Sequence, residues 1–342
     1  MRESIAVVIT CFNLERYIGD AILSVLAQDV GRDNIDEIVV VDDCSTDASA
    51  SIIQALPGVT YLRTPRNSGV LLATLAGIAA TRSELVFFLD GDDIWEPTKL
   101  GKARQAFEGE VGLVTHDLSY IDAQGVQVAI TSRVSTVMEA LPTGDWSEAV
   151  RRGILMHDDY VWLGSAYAFR RSTADLDGFC RIVDSLPDPR NTYQDWPLAF
   201  WLASRQGIRA GYVPEKLFRY RLHGANHSGD STSPQKAIRN FRRAFNTISA
   251  IDDIAKSVSL DPAVTRRLSE RIVFARYLVD LYEGRRISAL RGLRESIGYI
   301  RSAKLGVTRE VVRYCGVAML GVDGFTRGLS WLRSLRQRIF SS

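Results

Sequence analysis

The chain has 342 residues, of which 46% are hydrophobic and 24% are charged, a composition typical of a folded globular protein and not of a disordered chain. It has no apolar run near the roughly 20 residues that span a bilayer and no leader-like N-terminus, and its four cysteines lack C-x-x-C spacing, so we expect a cytoplasmic protein without a zinc site or a disulfide framework. The formal net charge of +2 combines an acidic part, residues 1–234 with 21 basic and 31 acidic side chains, and a basic part, residues 235–342 with 21 and 9.

The first half of the chain alternates short apolar runs with helical periodicity. The apolar runs predict four buried strands, at Ile5–Thr10, Glu37–Val41, Val59–Leu62 and Leu85–Leu89. The helices predicted between them are one with apolar residues every three or four positions from Leu14 to Leu26 and two that begin after Ser45-Thr46-Asp47 and after Asn67-Ser68-Gly69. Strands joined by helices imply right-handed crossovers and a doubly wound α/β sheet.

After Pro97 the pattern is mixed, and later it is entirely helical. Strand-like segments cover Val111–Val128, with a turn at Asp122-Ala123-Gln124-Gly125, Val161–Arg170 and Lys216–Leu222, and helical segments cover Trp146–Leu155 and Gln194–Arg205. Beyond Pro234 the sequence predicts helices only. Because charge and texture both change near residues 231–234, we expect a domain of residues 1–233 and then a basic helical region of residues 234–342.

Acidic residues cluster at the carboxyl ends of the predicted strands, where open α/β sheets bind their ligands. The six aspartates in these turns are Asp42, Asp43, Asp47, Asp90, Asp92 and Asp93. Carboxylates packed at one edge repel one another unless a cation or hydrogen-bond donors compensate their charge. A hard divalent cation, held partly by substrate phosphates, is the simplest expectation. Turn and cap roles are the alternatives for Asp42 and Asp47, and a capped loop is the alternative for Asp92 and Asp93.

Several short motifs occur in order from the first strand to about Ser228. They are V-I-T-x-F-N at Val8–Asn13, V-D-D-x-S-x-D at Val41–Asp47, N-x-G at Asn67–Gly69, F-L-D-x-D-D-x-W-x-P at Phe88–Pro97, G-F at Gly178-Phe179, D-W-x-L at Asp195–Leu198 and Y-R-x-H-x-x-N-x-S at Tyr220–Ser228. Their order and spacing resemble those of the inverting family 2 glycosyltransferases, over roughly two thirds of the chain. The resemblance implies a GT-A fold, which is a nucleotide-binding, doubly wound mixed sheet, followed here by an α-helical C-terminal extension.

The resemblance gives donor-binding roles to residues of these motifs. It implies that Thr10 and Phe12 line the nucleobase pocket, and that Asp43 accepts a hydrogen bond from the imide N–H of uracil or thymine. Asn67, in the N-x-G motif, is expected to bind the donor as well. Asp90, the first aspartate of the D-x-D pair, is expected to face the ribose or the donor sugar.

Metal and base residues follow from the same resemblance. Asp92 and His223 would hold Mn²⁺ or Mg²⁺, which bridges the donor diphosphate and offsets the charge of the departing nucleoside diphosphate. Asp195 would be the general base that takes a proton from the acceptor hydroxyl. Family members usually have Glu before this aspartate, whereas this chain has Gln194. A capping role at the start of a helix is the alternative for Asp195.

The sequence therefore predicts a metal-dependent inverting glycosyltransferase that moves a sugar from a UDP- or dTDP-sugar to a hydroxyl of a glycan or a lipid-linked acceptor, in the synthesis of cell-envelope polysaccharide. No Arg-Trp pair occurs, so the Q-x-x-R-W motif of processive family members is absent and single additions are expected. One alternative is an inactive nucleotide-sugar-binding module of the same fold. Another is a nucleotidyltransferase, although the loop after the first strand is not Gly-rich. The chain has no G-x-G, which argues against a nicotinamide-dependent dehydrogenase.

The basic region ends in a stretch, around Leu329–Phe340, whose helical spacing places Trp and Leu on one side and Arg on another. Such a helix can lie in the interface of an anionic membrane, so peripheral contact with the cytoplasmic membrane face is one expectation. The alternative is that its apolar residues pack on the catalytic domain or on a second subunit. No recognition motif accompanies the charge, so nucleic acid is not an expected partner.

Overall fold

The computed structural model describes residues 2–130, 163–205, 207–223, 233–258, 260–303 and 305–340, with side chains described to residue 325 apart from Asp33. Contacts divide the chain into two compact units. The first consists of Met1–Gly224 with Ile254–Val258, and the second consists of Ala225–Asp253 with Ser259–Ser342. Each unit is described by itself.

A mixed sheet is the centre of the first unit. Its strands are β1 (Ile5–Cys11), β2 (Glu37–Asp42), β3 (Thr60–Arg63), β4 (Leu85–Asp90), β5 (Ile94–Trp95), β6 (Val111–Ile121), β7 (Gln127–Val128), β8 (Ala168–Arg170) and β9 (Arg209–Arg221). The strand order is β3-β2-β1-β4-β8-β6-β9-β5, and β7 pairs with β6. The first four strands are parallel, whereas β8 runs antiparallel to both β4 and β6. The predicted α/β class with a mixed sheet is confirmed.

Six helices accompany this sheet in the part of the first unit that the structure describes. They are α1 (Ile18–Leu26), α2 (Ser49–Ala55), α3 (Val70–Ala79), α4 (Lys99–Gln105), α5 (Leu176–Ser185) and α6 (Asp195–Ser204). Strands β1, β2 and β4 are buried along nearly their whole length, as expected for strands enclosed on both faces. This double enclosure is the physical reason for the continuous apolar runs in the sequence.

The register of the central strands places their carboxyl ends side by side. Thr10 of β1 lies opposite Asp90 of β4, and Cys11 of β1 lies opposite Asp42 of β2. The turns that follow β1, β2 and β4 therefore share one edge of the sheet, where the motif residues were expected to gather.

Three predicted elements differ in extent from the structure, of which the strand Lys216–Leu222 is part of the longer β9 and the other two are shorter than predicted. The helix predicted from Leu14 begins at Ile18, because Asn13 has a positive φ of 54° and the N–H of Tyr17 closes a turn on the carbonyl of Leu14. Of the strand predicted over residues 161–170, the described residues from 163 onward form a strand only in β8, since the N–H of Ala166 closes another turn. The predicted helix Trp146–Leu155 lies outside the described residues.

The second unit is helical where it is described, as predicted beyond Pro234. Its helices are α7 (Pro234–Ser257), α8 (Pro262–Tyr282), α9 (Arg286–Glu295), α10 (Ile297–Ser302) and α11 (Val307–Phe340). Its core includes Tyr277, Leu281, Ala289, Ile300 and Val317, all buried. Of the helices described in the two units, none combines the length and apolarity that crossing a membrane requires.

Candidate active site

The turn after β4 is connected to the loop before β8 through Ser165. The hydroxyl of Ser165 accepts a hydrogen bond from the N–H of Asp90 at 2.9 Å and donates one to Oδ2 of Asp93 at 2.7 Å. The hydroxyl of Thr10 donates to Oδ1 of Asp90 at 3.2 Å. These bonds fix the D-x-D turn from two sides.

Asp93 and Lys99 form a buried layer beneath this turn. Each is about 1% exposed, and the Nζ of Lys99 donates to the carbonyl of Ser165 and lies 4.3 Å from the ring centre of Trp95. Burial raises the pKa of Asp93 well above its usual range and lowers the pKa of Lys99, while the charge of Asp93 opposes the shift of Lys99. Asp93 also accepts the N–H of Arg221 at 2.9 Å. These contacts favour the alternative for Asp93, which is a structural role in the loop after β4.

Asp92 and His223 lie in direct contact, as the sequence predicted. Nε2 of His223 is 2.9 Å from Oδ2 of Asp92, and the two side chains are 5% and 19% exposed. The ring of Tyr17 lies 4.7 Å from the imidazole, and Nε of Arg221 donates to the carbonyl of Asp92 at 2.8 Å. Both partners are thus held in place by neighbours, Tyr17 from outside the motifs and Arg221 from the same motif as His223.

These two side chains fit a divalent cation that is shared with its substrate. One carboxylate oxygen and one imidazole nitrogen supply two ligands, and among the described residues no third His, Cys, Asp or Glu completes a protein-only site. Mg²⁺ is commonly bound in this way, through few side chains together with phosphate oxygens and water. Asp92 and His223 would hold the metal, with the donor diphosphate completing its coordination.

Asp90 shows why this edge favours a cation. Burial, and after it the charge of Asp92, raises the pKa of Asp90 to about 7, and the hydrogen bond from Thr10 acts in the opposite direction. Two neighbouring carboxylates are both ionised at neutral pH only when positive charge or hydrogen-bond donors stabilise them. A metal bound at Asp92 would supply that positive charge.

Asp42, Asp43 and Asp47 need no cation to compensate their charge. The expected cluster of six carboxylates around a metal is therefore reduced to the turn after β4. Asp42 is buried and accepts hydrogen bonds from the N–H of Ser45 and from the side chains of Tyr61 and Arg63. Asp47 accepts the N–H groups of residues 15 and 49. Protein donors therefore compensate both carboxylates, as in the turn and cap alternatives.

Asp43 organises the loop before α3. It is 4% exposed, and its carboxylate accepts the hydroxyl of Thr64, the N–H and hydroxyl of Ser68, and the N–H of Gly69, at 2.6–2.8 Å. Three of these four bonds go to Oδ1 and one goes to Oδ2. Acceptance of a nucleobase N–H by Asp43 stays a prediction, and Oδ2 has the greater remaining acceptor capacity.

Phe12 and Asn67 lie in the loops that follow β1 and β3, and both are half-buried. These positions place them at the same edge of the sheet as Asp43. Their contact with a nucleobase or ribose is untested by the geometry of the chain alone.

Gly69 offers a direct test of this loop. Its φ is 87° and its ψ is 157°, and a Cβ at this position would lie 2.1 Å from the carbonyl oxygen of Arg190. We expect Gly69→Ala to destabilise the fold by roughly 1–3 kcal/mol more than Gly31→Ala, because overpacking adds to the backbone strain. Gly31 is the matched control, with φ 79° and ψ 146° but only one atom near the Cβ position, at 4.0 Å. Urea denaturation measures both, and equal losses would contradict the clash.

Asp195 is the first residue of α6, and its Oδ1 accepts the N–H of Trp196 at 2.9 Å. The contact is local and fixes the carboxylate at the helix N-terminus, where the helix dipole stabilises negative charge. It is compatible with either a capping or a catalytic role.

Gly164 and Tyr167 connect α6 to the D-x-D turn. A Cβ on Gly164 would lie 2.2 Å from Nε2 of Gln194 and 2.9 Å from Oδ2 of Asp90, so those two atoms are at most about 5 Å apart. Burial raises the pKa of Tyr167, and the charges of Asp195 and then Asp90 raise it further. The structure thus brings Gln194, the residue before the predicted base, close to the first aspartate of the D-x-D pair.

The sequence analysis missed the residues that make this connection, Gly164, Ser165 and Tyr167. The only available signal was the run of small residues Gly164-Ser165-Ala166 inside a segment interpreted as a strand. Lys99 left no sequence signal, because a lysine after a proline-containing turn is usually solvated.

Comparisons with known proteins agree with this geometry. Residues 6–152 match the model of the family described as glycosyl transferase family 2. An uncharacterised glycosyltransferase of Nostoc is 31% identical over 244 residues, covering 68% of this chain and 70% of the relative. WcaA of Escherichia coli, which is named as a colanic acid biosynthesis glycosyl transferase, is 26% identical over 54% of this chain and 68% of its own length.

Solved structures show the same fold. TarS 1–349 of Staphylococcus aureus, in complex with UDP-GlcNAc, has a TM-score of 0.58 at 14% identity and covers 87% of this chain and 92% of its own. The mannosyltransferase PcManGT of Pyrobaculum calidifontis, in complex with GDP-Man and Mn²⁺, has a TM-score of 0.52 at 16% identity, over 97% and 88%. The likeness confirms the mixed α/β architecture with a helical C-terminal region.

Proposed function

The chain belongs to glycosyltransferase family 2 and has the GT-A fold, and from this premise we propose that it transfers a sugar from a nucleotide-sugar donor to an acceptor hydroxyl with inversion at the anomeric carbon. The observation that carries the proposal is that Gln194 and Asp90 both border Gly164, since it unites the base side and the donor side of one site. Inversion in a single displacement places the leaving nucleoside diphosphate and the base that deprotonates the acceptor on opposite sides of the reacting carbon.

The donor is bound at the edge formed by β1, β2 and β4. In this proposal Thr10, Phe12, Asp43 and Asn67 contact the nucleoside, and Asp90 faces the ribose or the sugar. The preorganised carboxylate of Asp43 favours a base with an imide N–H, which uracil and thymine have. The binding of UDP-GlcNAc by TarS supports a uridine donor, although PcManGT binds GDP-Man.

Asp92 and His223 hold the metal in this proposal. The cation, Mn²⁺ or Mg²⁺, supplies Lewis-acid stabilisation of the leaving nucleoside diphosphate. Tyr17 and Arg221 keep the two protein ligands oriented through the contacts described above. The Mn²⁺ in the PcManGT complex supports this assignment.

Asp195 receives the proton of the acceptor hydroxyl as the new bond forms. The N–H of Trp196 orients its Oδ1, and the start of α6 favours its ionised form before the reaction. Gln194, where relatives usually have Glu, leaves Asp195 and Asp90 without a further negative charge between them.

Relatives in polysaccharide biosynthesis support a glycan or lipid-linked acceptor of the cell envelope, and the missing Q-x-x-R-W motif supports single additions. In this proposal residues 1–233 carry out the transfer and the basic helices of residues 234–342 bring the enzyme to the cytoplasmic face of the membrane. The side chains of the amphipathic stretch Leu329–Phe340 lie outside the described residues, so its role stays a prediction.

A thermal-shift panel of UDP-, dTDP- and GDP-sugars, with Mn²⁺ or with EDTA, tests the proposal. We expect a uridine or thymidine donor to raise the unfolding midpoint only when the cation is present. At a donor concentration of 100 times Kd, the free energy of unfolding should increase by about 2.7 kcal/mol. Release of nucleoside diphosphate from the same donor then separates an enzyme from a binding module. No shift with any donor would contradict donor binding, and a shift without turnover would indicate an inactive module.

A further inference from the structure

Exposed apolar side chains concentrate on two helices of the second unit. Of the nine large hydrophobic residues that are exposed in the part of the chain whose side chains are described, six lie on α9 and α11: Ile287, Leu290, Val311, Val312, Met319 and Leu320. Ile287 is 82% exposed and Met319 is 76% exposed. A cluster of exposed apolar side chains of this kind is typical of a surface that binds a membrane or another protein.

Helix α9 has one packed face and one open face. Ala289 and Leu293 are buried in the core of the unit. Ile287, Leu290 and Arg294 follow one another at intervals of three and four residues on the exposed side. A helix with only a structural role would carry polar residues there.

Helix α11 repeats this arrangement next to α9. Val317 is buried, whereas Val311, Cys315 and Met319, four residues apart, are exposed. The hydroxyl of Tyr314 donates to the carbonyl of Arg286 at 3.3 Å, which fixes the two helices side by side.

The chain reverses at Gly321, which brings Met319 and Leu320 to the tip of a turn. Gly321 has φ 69° and ψ 171°, which is not helical, and the ring of Phe325 lies 2.5 Å from the position of a Cβ on Gly316. Nine residues of straight helix would separate these positions by about 13 Å. The chain therefore folds back, and its tip exposes Leu320 by 63%.

Positive charge surrounds these apolar residues. Residues 286–325 contain seven basic and three acidic side chains. One of the three acids, Glu310, is buried and paired with Arg309 and Arg313, so these charges partly compensate one another. Arg286, Arg291 and Arg294 are exposed on α9.

We propose that the α9–α11 surface, made of the six exposed apolar residues and the arginines of α9, docks on an anionic lipid bilayer. Apolar side chains enter the interfacial region, and the guanidinium groups meet lipid phosphates. A second copy fits less well, because a twofold interface would pair two copies of the same positively charged surface. The surface excludes the predicted stretch Leu329–Phe340, and its docking does not depend on sugar transfer.

Vesicle flotation of the full chain tests this proposal without donor or acceptor, so its outcome is independent of the proposed activity. We expect flotation with vesicles of phosphatidylcholine and phosphatidylglycerol, weakened by salt, and none with phosphatidylcholine alone. Met319→Ser with Leu320→Ser should weaken binding roughly tenfold or more. Arg291→Gln with Arg294→Gln should weaken it roughly 30-fold.

Matched controls come from the first unit. Leu23→Ser removes a leucine that is 51% exposed, and Arg181→Gln removes an exposed arginine, and both should bind as the unaltered chain does. Unchanged circular dichroism and unfolding midpoints establish that each variant folds. Three results would overturn the proposal: no flotation of the unaltered chain, flotation that both double variants retain, or a dimer that Met319→Ser with Leu320→Ser dissociates in the absence of lipid binding.

Discussion

Asp195→Asn is expected to lower transfer by roughly 10²–10⁴-fold while donor binding stays near that of the unaltered chain, because the change removes the proton acceptor and little volume. The amide can still accept the N–H of Trp196, which in the structure binds Oδ1 at 2.9 Å, so the start of α6 is preserved. A loss confined to kcat would therefore report on proton transfer and not on folding.

The measurement is single-turnover release of nucleoside diphosphate, with donor affinity from calorimetry. Asp177→Asn is the matched control, because Asp177 is an exposed carboxylate in the first turn of α5, away from the D-x-D turn in sequence. We expect the control to keep full activity. Near-normal turnover of Asp195→Asn, with an unchanged unfolding midpoint, would assign the base to another residue.

Asp92→Ala is expected to abolish the enhancement of nucleotide binding by Mn²⁺. The substitution leaves His223 as the remaining proposed protein ligand, and one imidazole does not hold Mn²⁺ firmly beside a diphosphate. The substitution also removes one negative charge next to Asp90 and Asp93, so binding of the nucleotide without the cation should not weaken.

Calorimetric titration of UDP or dTDP with and without Mn²⁺ measures this effect. Asp20→Ala serves as the control, since Asp20 is 60% exposed and close to Arg221 but is not a proposed ligand. The control removes the same charge nearby and should retain the metal enhancement. If Asp92→Ala retains it too, the metal assignment is wrong.

The sequence predicted the parts of the fold that follow from local pattern and from burial. Strands β1, β2 and β4 were identified because each is enclosed on both faces and reads as a continuous apolar run. Parallel pairing then required their carboxyl ends to meet. The closeness of Asp92 and His223 was expected only from the resemblance, since His223 follows β9 and not one of these strands.

What the sequence could not predict are contacts between distant segments. Ser165 bridges the D-x-D turn from 72 residues beyond Asp93, and nothing local to either residue indicates the bond. The same limit applies to Asp43, where donors 21–26 residues away turn an apparently open carboxylate into the organiser of a loop. Acidic residues after strands indicate the ligand-binding edge of the sheet. The hydrogen-bond donors around each carboxylate then determine which of them is available to a ligand.

The stereochemistry of donor hydrolysis tests the central claim most directly, because water replaces the unidentified acceptor. Time-resolved proton NMR of an α-linked UDP- or dTDP-sugar with Mn²⁺ follows the anomer that forms before mutarotation. The account predicts that the β anomer appears first, that EDTA stops the reaction and that Asp195→Asn slows it. First appearance of the α anomer, or equal rates for Asp195→Asn and the unaltered chain, would contradict it.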